Sequence, residues 1–190
     1  NRKLMASYAL GRAVLNCFAY TCSFGVYCRK FGASRVTNVD ISAKFLQKGK
    51  GNYRLNHLHE CRSEFVRDHA VRYLERAAKR NNLFDIIILD PPSFSRFEGT
   101  VFSVKKDMPL LIEKAFRALT CEGMLFVSTN LSSIFRPQLE EWAHIAAKKT
   151  GRKIIEVNRL GQDIEFRGSG LMKESFLSAI LLKTVLLHAA

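Results

Sequence analysis

Asp90-Pro91-Pro92-Ser93-Phe94 is the stretch of this chain best equipped for chemistry. Consecutive prolines supply no N–H donors and hold the backbone extended. Their carbonyls and the Asp90 carboxylate therefore make a rigid row of acceptors. Phe94 and Phe97 add apolar faces on which a planar ring can stack. Such a loop can hold a heteroaromatic base by its edge and by its face at once.

Three other positions belong with it. Phe18–Gly25 is a turn of small and polar residues between an apolar run and a helix-period segment. Small residues there let backbone N–H groups approach a ligand closely. Asp40 follows about twenty residues later, at the end of a second apolar run. In nucleotide-binding α/β domains an acidic residue at that place accepts hydrogen bonds from ribose hydroxyls; the alternative is a cap for the next helix. Asp68 ends a third run, as an acceptor for an adenine amino group or as a plain helix cap.

Elements that alternate between apolar runs and helical periods must position these groups. A leading helix is expected over Asn1–Leu10, strands over Ala13–Phe18 and Arg35–Asp40, and a helix over Ser23–Phe31 with Gly32 as its stop. Ser42 caps a helix running to about Leu55, weakened by Gly49 and Gly51. Arg62–Val66 reads as a short strand, His69–Asn81 as a basic helix and Phe84–Leu89 as a central strand. A loop over Asp90–Val104 leads to a helix at Lys106–Leu119, a strand at Met124–Ser128 and a helix at Pro137–Thr150. Lys153–Asn158 and Phe176–Leu186 close the chain as an antiparallel pair, separated by a loop at Gly161–Lys173. The expected fold is α/β: a Rossmann-like, doubly wound, seven-stranded sheet in one domain, residues 1–190. Ligands of such sheets bind beyond the carboxyl ends of the strands, which is where Asp40, Asp68 and Asp90 fall.

Composition narrows the partners. Thirty Lys+Arg against 17 Asp+Glu give a formal charge of +13, which favours a polyanion such as RNA. Arg96, Lys105 and Lys106 flank the Asp-Pro-Pro loop and are expected to contact phosphates. Arg72, Arg76 and Lys79 share a helical face, either as RNA contacts or as a solvated surface. The five cysteines form no Cys-x-x-Cys pair, and the histidines lack metal-ligand spacing, so no metal is expected. Unpaired cysteines in apolar contexts fit a reducing, cytoplasmic setting. No run is long enough to cross a bilayer. The opening residue is Asn1 rather than Met, which leaves room for an upstream domain.

The stretches VLNCFAYTCSFGVY, VDIS, NYRLN, RDHAVRYL, DIIILDPPSFS and FSVKKD together carry a family resemblance, from about Ala13 to Asn130 and more weakly from Pro137 onward. The chain resembles class I S-adenosylmethionine-dependent methyltransferases. Within them it is most similar to large-subunit ribosomal RNA methyltransferases, the guanine-N7 branch first and the cytosine-C5 branch next. The resemblance implies S-adenosylmethionine as cofactor, with Phe18, Tyr20, Thr21 and Gly25 lining its methionine end. Asp40 would hold the ribose and Asp68 the adenine, and Asn16 and Ile41 complete the cofactor set. Asp90, Pro91, Pro92 and Phe94 would hold the target base. Two departures stand out: Cys22 occupies a place where the family usually has Gly, and Asp163-Ile164-Glu165-Phe166 lacks the proline that often follows the Asp.

The acceptor atom can be narrowed by its chemical demands. Carbon 5 of cytosine is not nucleophilic and needs a cysteine to add to the ring first. Relatives that do this carry a Cys at the end of the fifth strand, where this chain reads Ser128-Thr129-Asn130. Nitrogen 7 of guanine has a free lone pair and needs only positioning. An exocyclic amine needs an acceptor for its proton, which Asp90 could provide. Ser128-Thr129-Asn130 and the FSVKKD segment resemble the guanine-N7 branch, and that resemblance favours guanine N7, with an exocyclic amine second. A non-catalytic RNA-binding or ribosome-assembly module, motivated by Cys22, is the competing class. A dinucleotide oxidoreductase is disfavoured by the missing Gly-x-Gly-x-x-Gly.

Overall fold

A computed structural model describes residues 1–97, 99–160 and 177–187. The side chains of Ser63, Phe97 and Thr100 lie outside this description, as do the expected loop Gly161–Lys173, the Asp163–Phe166 departure and Phe176. Helix α1 (Arg2–Ser7) leads into β1 (Ala13–Cys17), α2 (Ser23–Lys30), β2 (Arg35–Asp40) and α3 (Ala43–Leu55). Then come β3 (Phe65–Arg67), α4 (Ala70–Lys79), β4 (Phe84–Leu89), β5 (Phe94–Phe97) and β6 (Thr100–Ser103). The chain continues through α5 (Val104–Ala118), β7 (Leu119–Thr129), α6 (Arg136–Lys149), β8 (Arg152–Leu160) and β9 (Ser178–Leu186).

Seven strands form one sheet in the order β3-β2-β1-β4-β7-β9-β8. The first five are mutually parallel, and β9 runs antiparallel to both β7 and β8. This is the expected doubly wound architecture with an antiparallel pair at its end. The reversal of winding at β1 and β4 opens the crevice that such sheets use for ligands.

Burial explains why β4 is apolar from Ile86 to Leu89, after Asp85 at its entry. Ile86 and Ile88 pack into the layer under α1 and α2, while Ile87 and Leu89 pack under α4, α5 and α6. A central parallel strand covered on both faces has no polar side to spare.

Three expectations are corrected. Residues Arg62–Glu64 form a 3-10 turn, and the third strand is Phe65–Arg67. Glu64 sets this break: it is nearly buried and pairs with Arg29 at 3.3 Å. Much of the loop expected at Asp90–Val104 is a β-hairpin, β5–β6, and α5 follows it directly from Val104. Pro109 lies inside α5 at its sixth residue, where it removes the N–H that would bond the Lys105 carbonyl. Strand β7 begins at Leu119, not Met124, so Cys121 lies within the strand rather than before it. Two glycines also leave α3 unbroken through Leu55.

One buried cation organises the end of the sheet opposite the crevice. The Arg152 guanidinium donates to the carbonyls of Phe116 (2.8 Å), Leu119 (2.6 Å), Thr120 (2.9 Å) and Cys121 (3.1 Å). It also donates to Thr184 Oγ1 at 3.2 Å. These carbonyls end α5 and begin β7, so the charge also faces the negative end of the helix dipole.

Candidate cofactor and base site

Strand β1 delivers the chain to the first turn, where Phe18, Tyr20 and Cys22 have φ of 56°, 50° and 60°. Left-handed backbone is unusual for residues with a Cβ and costs about 1–3 kcal/mol each. Within the turn, Cys22 N–H donates to the Ala19 carbonyl at 2.7 Å. Two bonds tie this turn to the end of β2. Ala19 N–H donates to the Val39 carbonyl at 3.0 Å, and Tyr20 N–H to Asp40 Oδ2 at 2.8 Å. The other carboxylate oxygen of Asp40 accepts from Ser42 N–H at 2.8 Å. Ser42 caps α3, accepting from Phe45 N–H at 3.3 Å. Asp40 is thereby released from capping, held rigid and left partly open to solvent. Ile41 follows at the rim, its carbonyl accepting from Arg67. Tyr20 is 56% exposed and packs against Phe45, 4.3 Å between ring centroids.

Behind the turn lies a polar core that sequence reasoning missed. Asn16 Nδ2 donates to Asn38 Oδ1 at 2.9 Å, and Asn38 Nδ2 donates to Tyr53 Oη at 3.0 Å. Asn16 is 1% exposed, so its side chain supports the turn from within. A Cβ on Gly25 would meet Asn38 Oδ1 at 2.3 Å and Tyr53 Oη at 2.8 Å. Gly25 is thus required by this network. Cys22 is buried among Ala19, Val26, Leu46 and Tyr53, and its sulfur occupies the space that a Cβ on Gly49 would need. Its side chain points into the α2–α3 interface. Thr21 faces the same way through its carbonyl, which accepts from Asn52 Nδ2 at 2.9 Å.

Asp90 stands at the end of β4, beside the end of β7. Ser128 Oγ donates to Asp90 Oδ1 at 2.5 Å, which leaves Oδ2 as the open acceptor. The residue is exposed as a whole, but its carboxyl is set back among protein atoms. That desolvation raises its pKa above the ordinary carboxylate value, and the Ser128 bond and the Arg2 charge offset the rise only in part. A second tie joins Ser93 Oγ to Asn130 Oδ1 at 3.1 Å. Pro91 is buried, whereas Pro92 and Phe94 are exposed, Phe94 to 52%. Phe94 opens the hairpin, whose Phe102 is buried against Phe18 at 5.3 Å between centroids. The hairpin therefore joins the base side of the site to the first turn.

Asp68 ends β3. Its carboxylate accepts from His69 N–H at 2.7 Å and pairs with Arg76 (2.7 Å) and Arg72 (3.6 Å). Two of the three basic residues expected on the face of α4 thus turn back to Asp68. Beside it, His69 is nearly buried, and its Nε2 has no hydrogen-bond partner among the described residues. Burial, with the Arg72 charge, lowers the His69 pKa. Arg96 lies over the Phe94 ring at 5.4 Å, and Lys105 and Lys106 are exposed at the start of α5.

No thiol among the described residues stands at the ligand end of β7. Cys17, Cys22 and Cys28 are buried, and burial, with the nearby Asp40 charge, pushes the Cys22 thiol up to about 12. Cys121 is exposed, but at the opposite end of the strand from Ser128. The described residues hold no cluster of three metal-binding side chains, and no helix among them is long and apolar enough to cross a membrane.

The turn after β1 and Asp40 at the end of β2 form a cradle next to the Asp-Pro-Pro edge at the end of β4, at the strand ends where parallel α/β sheets bind ligands. The sequence model of the S-adenosylmethionine-dependent methyltransferase family matches residues 1–178. The chain belongs to that family, and S-adenosylmethionine is its cofactor. The cradle fits this group through Asp40, a rigid acidic acceptor for ribose hydroxyls. Ribosomal RNA large subunit methyltransferase K of Neisseria meningitidis is 37% identical over 134 residues, which is 70% of this chain and 38% of that protein. Ribosomal RNA large subunit methyltransferase I of Tolumonas auensis is 34% identical over 165 residues, covering 85% and 41%. The crystal structure of SMU.776 complexed with SAH superposes with a TM-score of 0.82 at 29% identity, covering 96% of this chain and 48% of that one. The chain spans less than half the length of each of these relatives.

Proposed function

We propose that this domain transfers a methyl group from S-adenosylmethionine to a base of large-subunit ribosomal RNA, at guanine N7. When bound, the cofactor supplies an electrophilic methyl on a sulfonium. The first turn would take its methionine end, Asp40 its ribose, and Asp68, one strand further out, its adenine. The observation that carries the reading is the Asp90 edge. Its carboxylate is fixed by Ser128, backed by two prolines and set beside the cradle, with no thiol at the end of β7. This speaks against covalent addition to a pyrimidine and supports an acceptor with its own lone pair.

Methylation of N7 leaves positive charge on the purine ring. Asp90, accepting through Oδ2 from ring N–H groups, would orient the base and offset that charge in a poorly solvated place. The exocyclic-amine reading keeps one observation in its favour: the raised carboxyl of Asp90 is a better proton acceptor than an ordinary aspartate. The non-catalytic reading loses its motive, because Cys22 points away from the cradle.

Incubation with ribosomal RNA and labelled cofactor, followed by nucleoside mass spectrometry, tests the reading. 7-Methylguanosine is expected, and a methyl on an exocyclic nitrogen would favour the second reading. Asp90→Ala should lower transfer at least about 100-fold while calorimetric cofactor binding persists. Full activity in that variant would refute the site.

A further inference from the structure

The β5–β6 hairpin has two unlike faces. Its register pairs Phe94 with Ser103, Ser95 with Phe102 and Arg96 with Val101. Directly paired residues share a face and successive residues alternate. Phe102 therefore lies on one face, buried against Phe18, while Phe94, Arg96 and Val101 lie on the other. That outer face leaves Phe94 52% and Val101 49% exposed, with the Arg96 guanidinium over the Phe94 ring. These two strands form a sheet of their own, with no further strand paired to either edge among the described residues.

A similar pairing stands at the other end of the Ser93–Asn130 tie. The chain leaves β7 at Asn130 and reaches Phe135, 60% exposed, just before α6 begins at Arg136. Ile134 is buried beneath it, so the exposure of Phe135 belongs to an anchored turn. The start of α5, directly after the hairpin, carries the exposed Lys105 and Lys106, which form no ion pair among the described residues. In the hairpin that follows Asp90 and in the turn that follows β7, an exposed ring is thus followed by a cation, Arg96 and Arg136.

We propose that these two jaws bind a single strand of RNA across the mouth of the site. Nucleotides flanking the target stack on Phe94 with Val101 and on Phe135, and their phosphates meet Arg96, Lys105 and Arg136. The inference rests on the RNA reading above and adds that the strand is unpaired. A duplex keeps its base faces stacked on one another and offers side chains only its edges and backbone. Exposed rings interleaved with cations suit a strand whose bases are free.

Fluorescence anisotropy with a labelled, unstructured RNA of about twelve nucleotides, and with the blunt duplex of the same sequence, tests this. The single strand should bind at least about tenfold more tightly. Phe135→Ala should weaken it about tenfold, and Val101→Ser less. Arg136→Ala should reduce the salt slope by about 0.7. Ile155→Ala, at an exposed apolar position on β8, is the control and should change nothing. Equal affinity for the duplex, or single-strand affinity within about twofold of wild type in Phe135→Ala, would overturn the proposal. Calorimetry with S-adenosylmethionine on the same samples separates the failures. Intact cofactor binding and methyl transfer with a silent Phe135→Ala would sink the jaws alone, whereas absence of any RNA binding or transfer would sink the RNA reading too.

Discussion

Gly49→Ala should weaken the protein at a position where the same change would ordinarily strengthen it. Gly in a helix interior costs about 1 kcal/mol relative to Ala, and α3 carries two, Gly49 and Gly51. A Cβ on Gly51 meets nothing within 4 Å, so Gly51→Ala should gain most of that amount. A Cβ on Gly49 would stand 2.4 Å from Cys22 Sγ and 3.0 Å from Cys22 Cβ. Relief requires more than an ångström of movement, either of α3 or of the left-handed turn residue that carries the sulfur. Overpacking of that kind costs about 1–3 kcal/mol. The substitution should therefore be neutral at best and lose up to about 2 kcal/mol net, or up to about 8 °C in Tm for a domain of this size. It should also weaken cofactor binding, because the moved residue belongs to the cradle. Adding Cys22→Gly removes the obstacle and supplies a residue at ease with φ of 60°. The double variant should regain stability and cofactor affinity relative to Gly49→Ala. Urea denaturation of the four-member cycle, with Gly51→Ala as internal control, measures the coupling. If Gly49→Ala gained as much as Gly51→Ala, or if Cys22→Gly failed to rescue it, the placement of the Cys22 side chain away from the cofactor would be wrong.

Other expectations are more direct. Ser128→Ala removes the hydrogen bond that holds the Asp90 pKa down, so that pKa should rise further. The acid limb of the methyl-transfer profile should then move to higher pH. Stability should also fall more as pH rises through the native Asp90 value, because the native state releases its proton later than the unfolded chain. Ser128→Thr should restore the wild-type profile, and an unmoved acid limb in Ser128→Ala would remove Ser128 from its positioning role. Arg152→Met should cost about 3 kcal/mol or more in urea unfolding, since it strands buried carbonyls that have no other donor of equal strength. Cofactor affinity should be unchanged in that variant, because Arg152 serves the opposite end of the sheet.

Much of the scaffold was legible because its signals are local. The strands Arg35–Asp40 and Phe84–Leu89 and the helix ending at Leu55 fall where apolar runs and a serine cap placed them. Asp40 and Asp90 fall at the same end of one sheet, on the two strands that flank β1, because a parallel α/β order leaves strand ends little choice. The hairpin was not legible: Phe94–Ser103 mixes polar and apolar residues without turn chemistry strong enough to announce itself, and burial of Phe102 against a residue from β1's turn organises it.

The chain's own order of residues thus determined the winding of the sheet, the acidic strand ends and the proline-stiffened edge, since each depends on neighbours in sequence. Only the tertiary structure decided which way Cys22 points, what Asn16 and Gly25 support, which hydroxyl holds Asp90 and which rings stay exposed around it. Those outcomes depend on contacts between segments distant along the chain, such as Cys22 with Gly49, Ser128 with Asp90 and Phe102 with Phe18. Periodicity and local propensity carry no record of such pairings.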